Sequence, residues 1–158
     1  MQALTTNILG NQSTAVGQNA LFAQNYATGT DANNTAVGHD AGASVTTGVQ
    51  NTFVGAFGGD ALTVGVHNVA MGYAALTTDT RGNYSVAIGA GALATQNFAT
   101  ATNTYNVGVG EDAGNDITTG IRNTLIGGLA GDALTDADDN VAVGMLALST
   151  CQLGSANT

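Results

Sequence analysis

The chain contains no lysine, and its two arginines, Arg81 and Arg122, are its only permanently cationic side chains. Charged residues make up 8% of the sequence, and the net charge of −9 comes from aspartates and Glu111. Nucleic acids and anionic membrane surfaces are both bound by clustered lysine and arginine. The composition therefore argues against a nucleic-acid partner and against insertion into or binding to an anionic membrane.

Cysteine and long apolar runs are also scarce. Cys151 is the only cysteine, so one chain holds neither a disulfide nor a cysteine-based metal site, and we expect it to fill a variable position. No apolar run approaches the roughly 18–20 residues that span a bilayer. Residues 1–11 lack the basic start and the long apolar stretch of a secretory signal peptide.

Large side chains are few as well. Aromatic residues make up 5% of the chain and tryptophan and proline are absent, whereas glycine accounts for 23 residues. Such a sequence has little apolar area with which to offset a backbone ordering cost of roughly 1–2 kcal/mol per residue. A stack of thin, similar layers, each completing the core of its neighbour, is therefore favoured over a compact globule.

A four-residue motif that ends in glycine, here called the tetrad, recurs eight times. Its glycines are Gly17, Gly38, Gly55, Gly72, Gly89, Gly110, Gly127 and Gly144. One long spacing followed by three short ones separates Gly17 from Gly89, and the same order begins again at Gly89. This period predicts an all-β, parallel β-solenoid of about 8–9 coils of 17 or 21 residues. We expect a single repeat domain over residues 1–158, with a partial coil (1–13) and two superrepeats (14–85 and 86–157), as a segment of a longer fibre.

Within the tetrad, large and small residues alternate. The first and third positions are β-branched or large, as in Val86 and Ile88, and the second is usually alanine or glycine, although Phe53 and Leu125 depart from this rule. The alternation predicts a short strand with two different faces. We expect the β-branched face to fill the core and the alanine face to lie against a neighbouring element. The Ala-Leu or Ala-Gly pair that follows the tetrad glycine is predicted to be a second inward-facing element.

An asparagine stands directly before six of the tetrads. These residues are Asn34, Asn51, Asn68, Asn106, Asn123 and Asn140. Stacked amides can pass hydrogen bonds from coil to coil, so we predict a structural asparagine ladder. A polar ligand-binding stripe is the alternative.

The two longer coils carry four extra residues within residues 22–34 and 94–106. These segments contain Tyr26, Phe98 and Tyr105. Insertions in solenoids often form the binding face, so these three are the predicted surface-recognition residues. The alternative is that they decorate the shaft or fill a groove between chains.

Candidates for chemistry are few. Asp136, Asp138 and Asp139 lie in the one dense acidic run and are the candidate calcium ligands, although their spacing matches no EF-hand loop. His39 and His67 occupy different positions in the coil, so we expect solvated side chains rather than catalytic ones. No enzymatic activity and no cofactor are predicted. A hexapeptide β-helix of the acyltransferase type is disfavoured because coils of these unequal lengths do not keep its six-residue phase.

The segment from Tyr84 to Ala92 resembles the Asn-Ser-Val-Ala-Ile-Gly repeat of YadA-like head domains in trimeric autotransporter adhesins. Other tetrads resemble variants found in phage tail-fibre and viral fibre proteins, so the resemblance covers essentially the whole chain. It implies a left-handed parallel β-roll, three chains side by side around a fibre axis, and attachment to surfaces. The coils are longer than those of the short form of this repeat, and residues 1–158 include no neck, coiled-coil stalk or membrane anchor.

We therefore predict a non-enzymatic, homotrimeric fibre segment at a cell surface or on a virion. It would act as a spacer and adhesive surface whose partner is an unidentified surface receptor or glycan. The alternative is a monomeric β-solenoid that binds ice, a mineral or calcium. An ice-binding face would show threonines in successive coils, whereas valine replaces threonine at the first tetrad position of four coils: Val69, Val86, Val107 and Val141.

Overall fold

The structure, a computed structural model, describes residues 2–150 and 154–157, and Cys151 lies outside this part. Its strands are β1 (Gly10–Asn11), β2 (Thr14–Val16), β3 (Thr30–Asp31), β4 (Thr35–Val37), β5 (Thr52–Val54), β6 (Val69–Met71), β7 (Gly82–Asn83), β8 (Val86–Ile88), β9 (Thr102–Asn103), β10 (Val107–Val109), β11 (Thr124–Ile126) and β12 (Val141–Val143). The described residues contain no helix, and their strand pairings are parallel. The predicted parallel β-solenoid is confirmed.

The eight tetrads form one continuous sheet, in the order β12-β11-β10-β8-β6-β5-β4-β2. Equivalent tetrad positions pair across the coils, so Ala70 lies opposite Ala87 and Val86 opposite Val107. With neighbouring strands about 4.8 Å apart, the sheet extends roughly 34 Å along the solenoid axis. Each of the two short sheets, β1-β3 and β7-β9, pairs a strand from the insertion-bearing segment of a longer coil (β3 or β9) with a strand that precedes that coil's tetrad (β1 or β7).

The two faces of the tetrad strand are the reverse of our expectation. Ala36, Ala70 and Ala87 at the second position are fully buried, whereas Ile88 at the third position is 37% exposed. The prediction of a β-branched core face was wrong because leucines on the opposite wall already fill the narrow interior. A Cβ on Gly108, also at the second position, would lie 3.0 Å from Cγ of Leu93.

The Ala-Leu pairs after the tetrads supply those leucines. Ala75 and Leu76 are fully buried, as are Ala92 and Leu93, so the predicted second inward-facing element is confirmed. The core is therefore built from alanines on the sheet side and leucines on the opposite side.

Phe53 and its neighbours show how the coils keep a constant core volume. Phe53 is fully buried, and the opposite positions, Gly42 and Gly59, carry no side chain. A Cβ on Gly42 would lie 2.6 Å from Cδ2 of Phe53, and one on Gly59 would overlap the same ring. The next coil has the reverse arrangement, with Ala70 on the sheet and Leu76 opposite. The large residue thus lies on one wall or the other, but not on both.

Leu125 repeats this exchange one superrepeat later. It is fully buried, and a Cβ on either Gly114 or Gly131 would lie 2.7 Å from one of its methyl carbons. The two departures from the alanine rule therefore have the same cause, which is the absence of a leucine on the facing wall.

The tetrad glycine meets both a backbone and a space requirement. Gly89 has a φ of 133°, a region that side-chain-bearing residues rarely adopt. A Cβ on Gly89 would overlap the carbonyl oxygen of Gly110 in the next coil. Gly144 has a similar φ of 123°, but among the described residues no atom lies within 4 Å of a Cβ placed there.

These two glycines separate backbone strain from steric overlap. Both Gly89→Ala and Gly144→Ala should incur a strain of about 1–3 kcal/mol. Gly89→Ala should lower the free energy of unfolding by about 1–3 kcal/mol more than Gly144→Ala, because its methyl group overlaps the next coil. Urea unfolding of both variants measures the difference, and equal losses of stability would show that coil-to-coil contact does not select this glycine.

The volume exchange between facing walls gives a compensating pair of substitutions. Phe53→Ala should lower the free energy of unfolding by about 3–5 kcal/mol because it leaves a cavity. Gly59→Leu alone should also destabilise the chain, since its side chain overlaps the ring of Phe53. The double variant copies the natural Ala70 and Leu76 pair, so it should recover at least about half of the larger loss. Additive losses in a double-mutant cycle by urea unfolding would contradict the exchange.

Candidate functional site

The six predicted ladder asparagines are fully buried. Ser85 divides the ladder into two runs, and within each run the Oδ1 atom of one asparagine accepts hydrogen bonds from the asparagine of the next coil. For example, Asn34 Oδ1 accepts from the backbone N–H of Asn51 (2.9 Å) and from its Nδ2 (3.3 Å). The Nδ2 of Asn51 also donates to the carbonyl oxygen of Gly65 across the same coil (2.9 Å). The amides thus join neighbouring coils, and five of the six also tie together two sides of one coil.

Glutamines complete this network in the two longer coils. Ser85 replaces the asparagine, and its hydroxyl accepts from Nε2 of Gln96 (2.8 Å), while Oε1 of Gln96 accepts from Nδ2 of Asn106 (2.8 Å). Gln24 has the same position one superrepeat earlier and accepts from Asn34 (2.9 Å). Sequence reasoning missed both glutamines as network members, although they align from one superrepeat to the next.

Asp79 is a buried carboxylate at the edge of this network. Its Oδ2 accepts from Nε2 of Gln96 (2.6 Å), and its Oδ1 accepts from the backbone N–H of Gly82 (2.9 Å). Burial raises the pKa of Asp79 above its ordinary value, and the hydrogen bond from Gln96 acts in the opposite direction. The group is enclosed by its own chain, so it serves the fold rather than a ligand.

Two of the three predicted recognition residues are buried, so that prediction is wrong for them. Tyr26 is 7% exposed and its hydroxyl donates to the carbonyl oxygen of Gly48 (2.7 Å), and Phe98 is 6% exposed. Burial also raises the pKa of the Tyr26 phenol. The extra residues of the longer coils therefore fold these rings over the core. Tyr105 is 53% exposed and remains available on the surface.

The candidate calcium ligands do not form a metal site. Arg122 donates from Nε and Nη2 to the two carboxylate oxygens of Asp139 (2.5 and 2.7 Å), and Oδ1 of Asp138 accepts from the backbone N–H of Ile121 (2.8 Å). The hydrogen bonds from Arg122 lower the pKa of Asp139. Among residues 2–150 and 154–157, no group of three carboxylates, imidazoles or thiols is placed to hold a metal ion. Asp136, the third candidate ligand, therefore belongs to no such group. Arg122 and Asp139 occupy equivalent positions of successive coils. Their spacing of one coil is the feature of the sequence from which this ion pair could have been predicted.

One exposed column of side chains runs along a corner of the solenoid, one residue before each asparagine or serine. This corner column comprises Gln12, Asn33, Gln50, His67, Tyr84, Tyr105, Arg122 and Asp139, all exposed and all with φ between 52° and 60°. Left-handed backbone of this kind costs roughly 1–2 kcal/mol per residue. Coil-to-coil hydrogen bonds hold it in place, as between the N–H of Tyr84 and the carbonyl oxygen of Val66 (3.1 Å).

The centre of the corner column is aromatic. The rings of His67 and Tyr84 are stacked with centroids 4.9 Å apart, and those of Tyr84 and Tyr105 are 5.2 Å apart. A second aromatic group, His39 with Phe57 and Tyr73, packs edge to face elsewhere. Both histidines thus contact aromatic rings, which sequence reasoning did not predict.

A second exposed column lies on the outer face of the eight-stranded sheet. This outer aliphatic column consists of the third tetrad residues: Val16, Val37, Val54, Met71, Ile88, Val109, Ile126 and Val143. Six of them are at least 37% exposed, and Val54 and Val109 are partly exposed. A continuous aliphatic surface of this kind typically marks a contact with another molecule.

Comparisons of the chain with protein-family models, with curated proteins and with solved structures found no significant match. No helix in the described part of the chain has the length and hydropathy needed to cross a bilayer. The candidate sites are therefore the corner column and the outer aliphatic column, both defined by geometry alone.

The pKa of Asp79 gives a pH-dependent prediction for the buried network. Because this pKa is higher in the folded chain, the carboxyl contributes most stability below its unfolded pKa of about 3.9, and the contribution is lost as pH rises through the folded value. Asp79→Asn removes the titration, and Asn7 already holds the equivalent turn, accepting from the N–H of Gly10 (3.0 Å). Relative to the variant, the native chain should gain stability as the pH falls from 7 towards 4. Urea midpoints at several pH values test this, and a constant difference would contradict it.

Proposed function

We propose that this chain is a segment of a non-enzymatic, homotrimeric fibre that acts as a rigid spacer and attachment surface outside the cell or on a virion. The observation that supports it most directly is the outer aliphatic column, which extends along the whole eight-stranded sheet and faces away from the core. Packing against identical columns of two other chains would remove it from water. The resemblance to YadA-like head repeats favours three chains.

The inner architecture supports a spacer role. Backbone hydrogen bonds and the asparagine ladder both run along the solenoid axis, so bending the rod would stretch many bonds at once. A stiff rod of repeated coils also presents its exposed side chains at regular intervals. Several weak contacts to one surface then combine into strong attachment.

The monomeric ice- or mineral-binding solenoid remains the second candidate. Thr14, Thr35 and Thr52 lie in register on the outer face of three successive strands. A flat face of this kind is accessible only if no other chain covers it. The oligomeric state therefore distinguishes the two functions.

The trimer makes a prediction for the outer aliphatic column. Light scattering on a size-exclusion column should give a mass of about three times the chain mass of 15.5 kDa. Ile88→Asp should shift this mass towards that of one chain, because it places a carboxylate within an apolar contact. A monomeric native chain would overturn the trimer and favour the second candidate.

Leu129→Asp is the matched control for Ile88→Asp. Leu129 is also 37% exposed but lies at another corner, in register with Asp112, and its φ of 57° suits aspartate. It should leave the trimer intact. If both variants dissociate, or if neither does, the outer aliphatic column is not the specific interface.

A further inference from the structure

The stacked part of the corner column presents ring edges to solvent. The planes of His67 and Tyr84 are inclined by 9°, and those of Tyr84 and Tyr105 by 13°, with Tyr84 38% and Tyr105 53% exposed. Both faces of the Tyr84 ring are covered by its neighbours. A partner therefore meets C–H edges, phenol hydroxyls and imidazole nitrogens rather than open aromatic faces.

The phenol hydroxyls of this surface are unused. Within residues 2–150 and 154–157, the hydroxyls of Tyr84 and Tyr105 make no hydrogen bond, in contrast to the buried hydroxyl of Tyr26. Two asparagines closely precede these tyrosines in the sequence, and Asn83 in β7 donates to Asn103 in β9 (3.1 Å). The surface thus combines apolar ring edges with closely spaced donors and acceptors, a combination that suits a partner rich in hydroxyl groups.

The local charge indicates an uncharged partner. Arg122, the cation of the corner column, is engaged by both carboxylate oxygens of Asp139. The chain as a whole carries a net charge of −9. An anionic partner would be repelled at long range, and the exposed Arg81, three residues before Tyr84, supplies too little positive charge to offset the net charge of −9.

The repeat distance favours a glycan over a peptide. Successive ring centroids are 4.9 and 5.2 Å apart, similar to the length of one pyranose unit in an extended β-1,4-linked chain. An extended peptide presents equivalent side chains about every 6.6–6.8 Å and is usually bound at a sheet edge or in pockets. Two surface depressions of the described chain, one lined by Asp112 and its neighbours and one by Asn19 and its neighbours, include no residue of the corner column.

We infer that His67, Tyr84 and Tyr105 form a binding surface for a linear, uncharged glycan that lies parallel to the solenoid axis. The inference rests on the proposed attachment function and names the class of partner. Sugar hydroxyls bond to the phenols and flanking amides, and sugar C–H groups pack against the ring edges. Each glycan unit then spans one coil.

The test uses calorimetric titration of the whole chain with hexamers of β-1,4-linked glucose and of β-1,4-linked N-acetylglucosamine. At least one of them should bind, and Tyr84→Ala/Tyr105→Ala should weaken that binding at least tenfold. Alanine is compatible with this backbone, since Ala156 occupies the same column position with a φ of 60°. Tyr84→Phe/Tyr105→Phe should show an intermediate loss, because it removes the hydroxyls and keeps the rings.

Tyr73→Ala is the control, because Tyr73 is a 63% exposed tyrosine outside the corner column. It should bind the hexamer like the native chain. If neither hexamer binds, or if the two tyrosines can be removed without loss, the inference is overturned. Light scattering on the same samples reports the proposed trimer separately, so a trimer that binds neither hexamer refutes the glycan and leaves the fibre.

Discussion

The coil-to-coil hydrogen bond is the interaction on which the rest of this structure depends. Each tetrad strand pairs with the equivalent strand of the next coil, and the corners are joined in the same way. The chain must therefore return to the same point in cross-section once in every coil. Glycine at the end of the tetrad follows from this requirement, because a side chain on Gly89 would occupy the place of the Gly110 carbonyl. The buried asparagines follow from it too, because an interior amide is stabilised by hydrogen bonds to its polar atoms, and equivalent amides in adjacent coils bond to one another.

A constant cross-section also constrains the core. The space between the two walls holds one large side chain for each facing pair, so Phe53 requires glycine where other coils carry leucine. The fold thus tolerates exchange of volume between walls but not its addition. Single residues in this core are selected by their partners across the coil, which explains why Phe53 and Leu125 can stand where the other tetrads have alanine or glycine.

Much of this architecture was predictable from spacing alone. The eight glycines gave the coil number, the parallel sheet and the register, because periodicity records where the chain returns. The facing of the strand was not predictable, because a two-residue alternation shows that two faces differ without showing which one is inside. The composition of the opposite wall decides it, and the leucines at positions such as Leu76 lie in a turn with positive φ that local propensity disfavours. A separate left-handed position, one residue before each asparagine or serine, places the corner column outside. The clustering of His67, Tyr84 and Tyr105 could therefore be found only by comparing residues one coil apart.

On the exterior of the solenoid, equivalent positions of successive coils carry side chains of different chemistry. The positions of the corner column have nearly the same φ, and five of them donate an equivalent backbone hydrogen bond to the preceding coil: Gln50, His67, Tyr84, Arg122 and Asp139. The column nevertheless carries amides, aromatic rings and an ion pair in turn. Hydrogen bonds between coils hold the backbone at those five positions, and the exposed side chains of the corner column do not fill the core. Residues such as phenylalanine and tyrosine are unfavourable in left-handed conformations, and asparagine, already present at Asn33, would serve the turn better. Tyr84 and Tyr105 therefore occupy positions where folding alone favours a different residue, and the binding role that we propose would account for their presence.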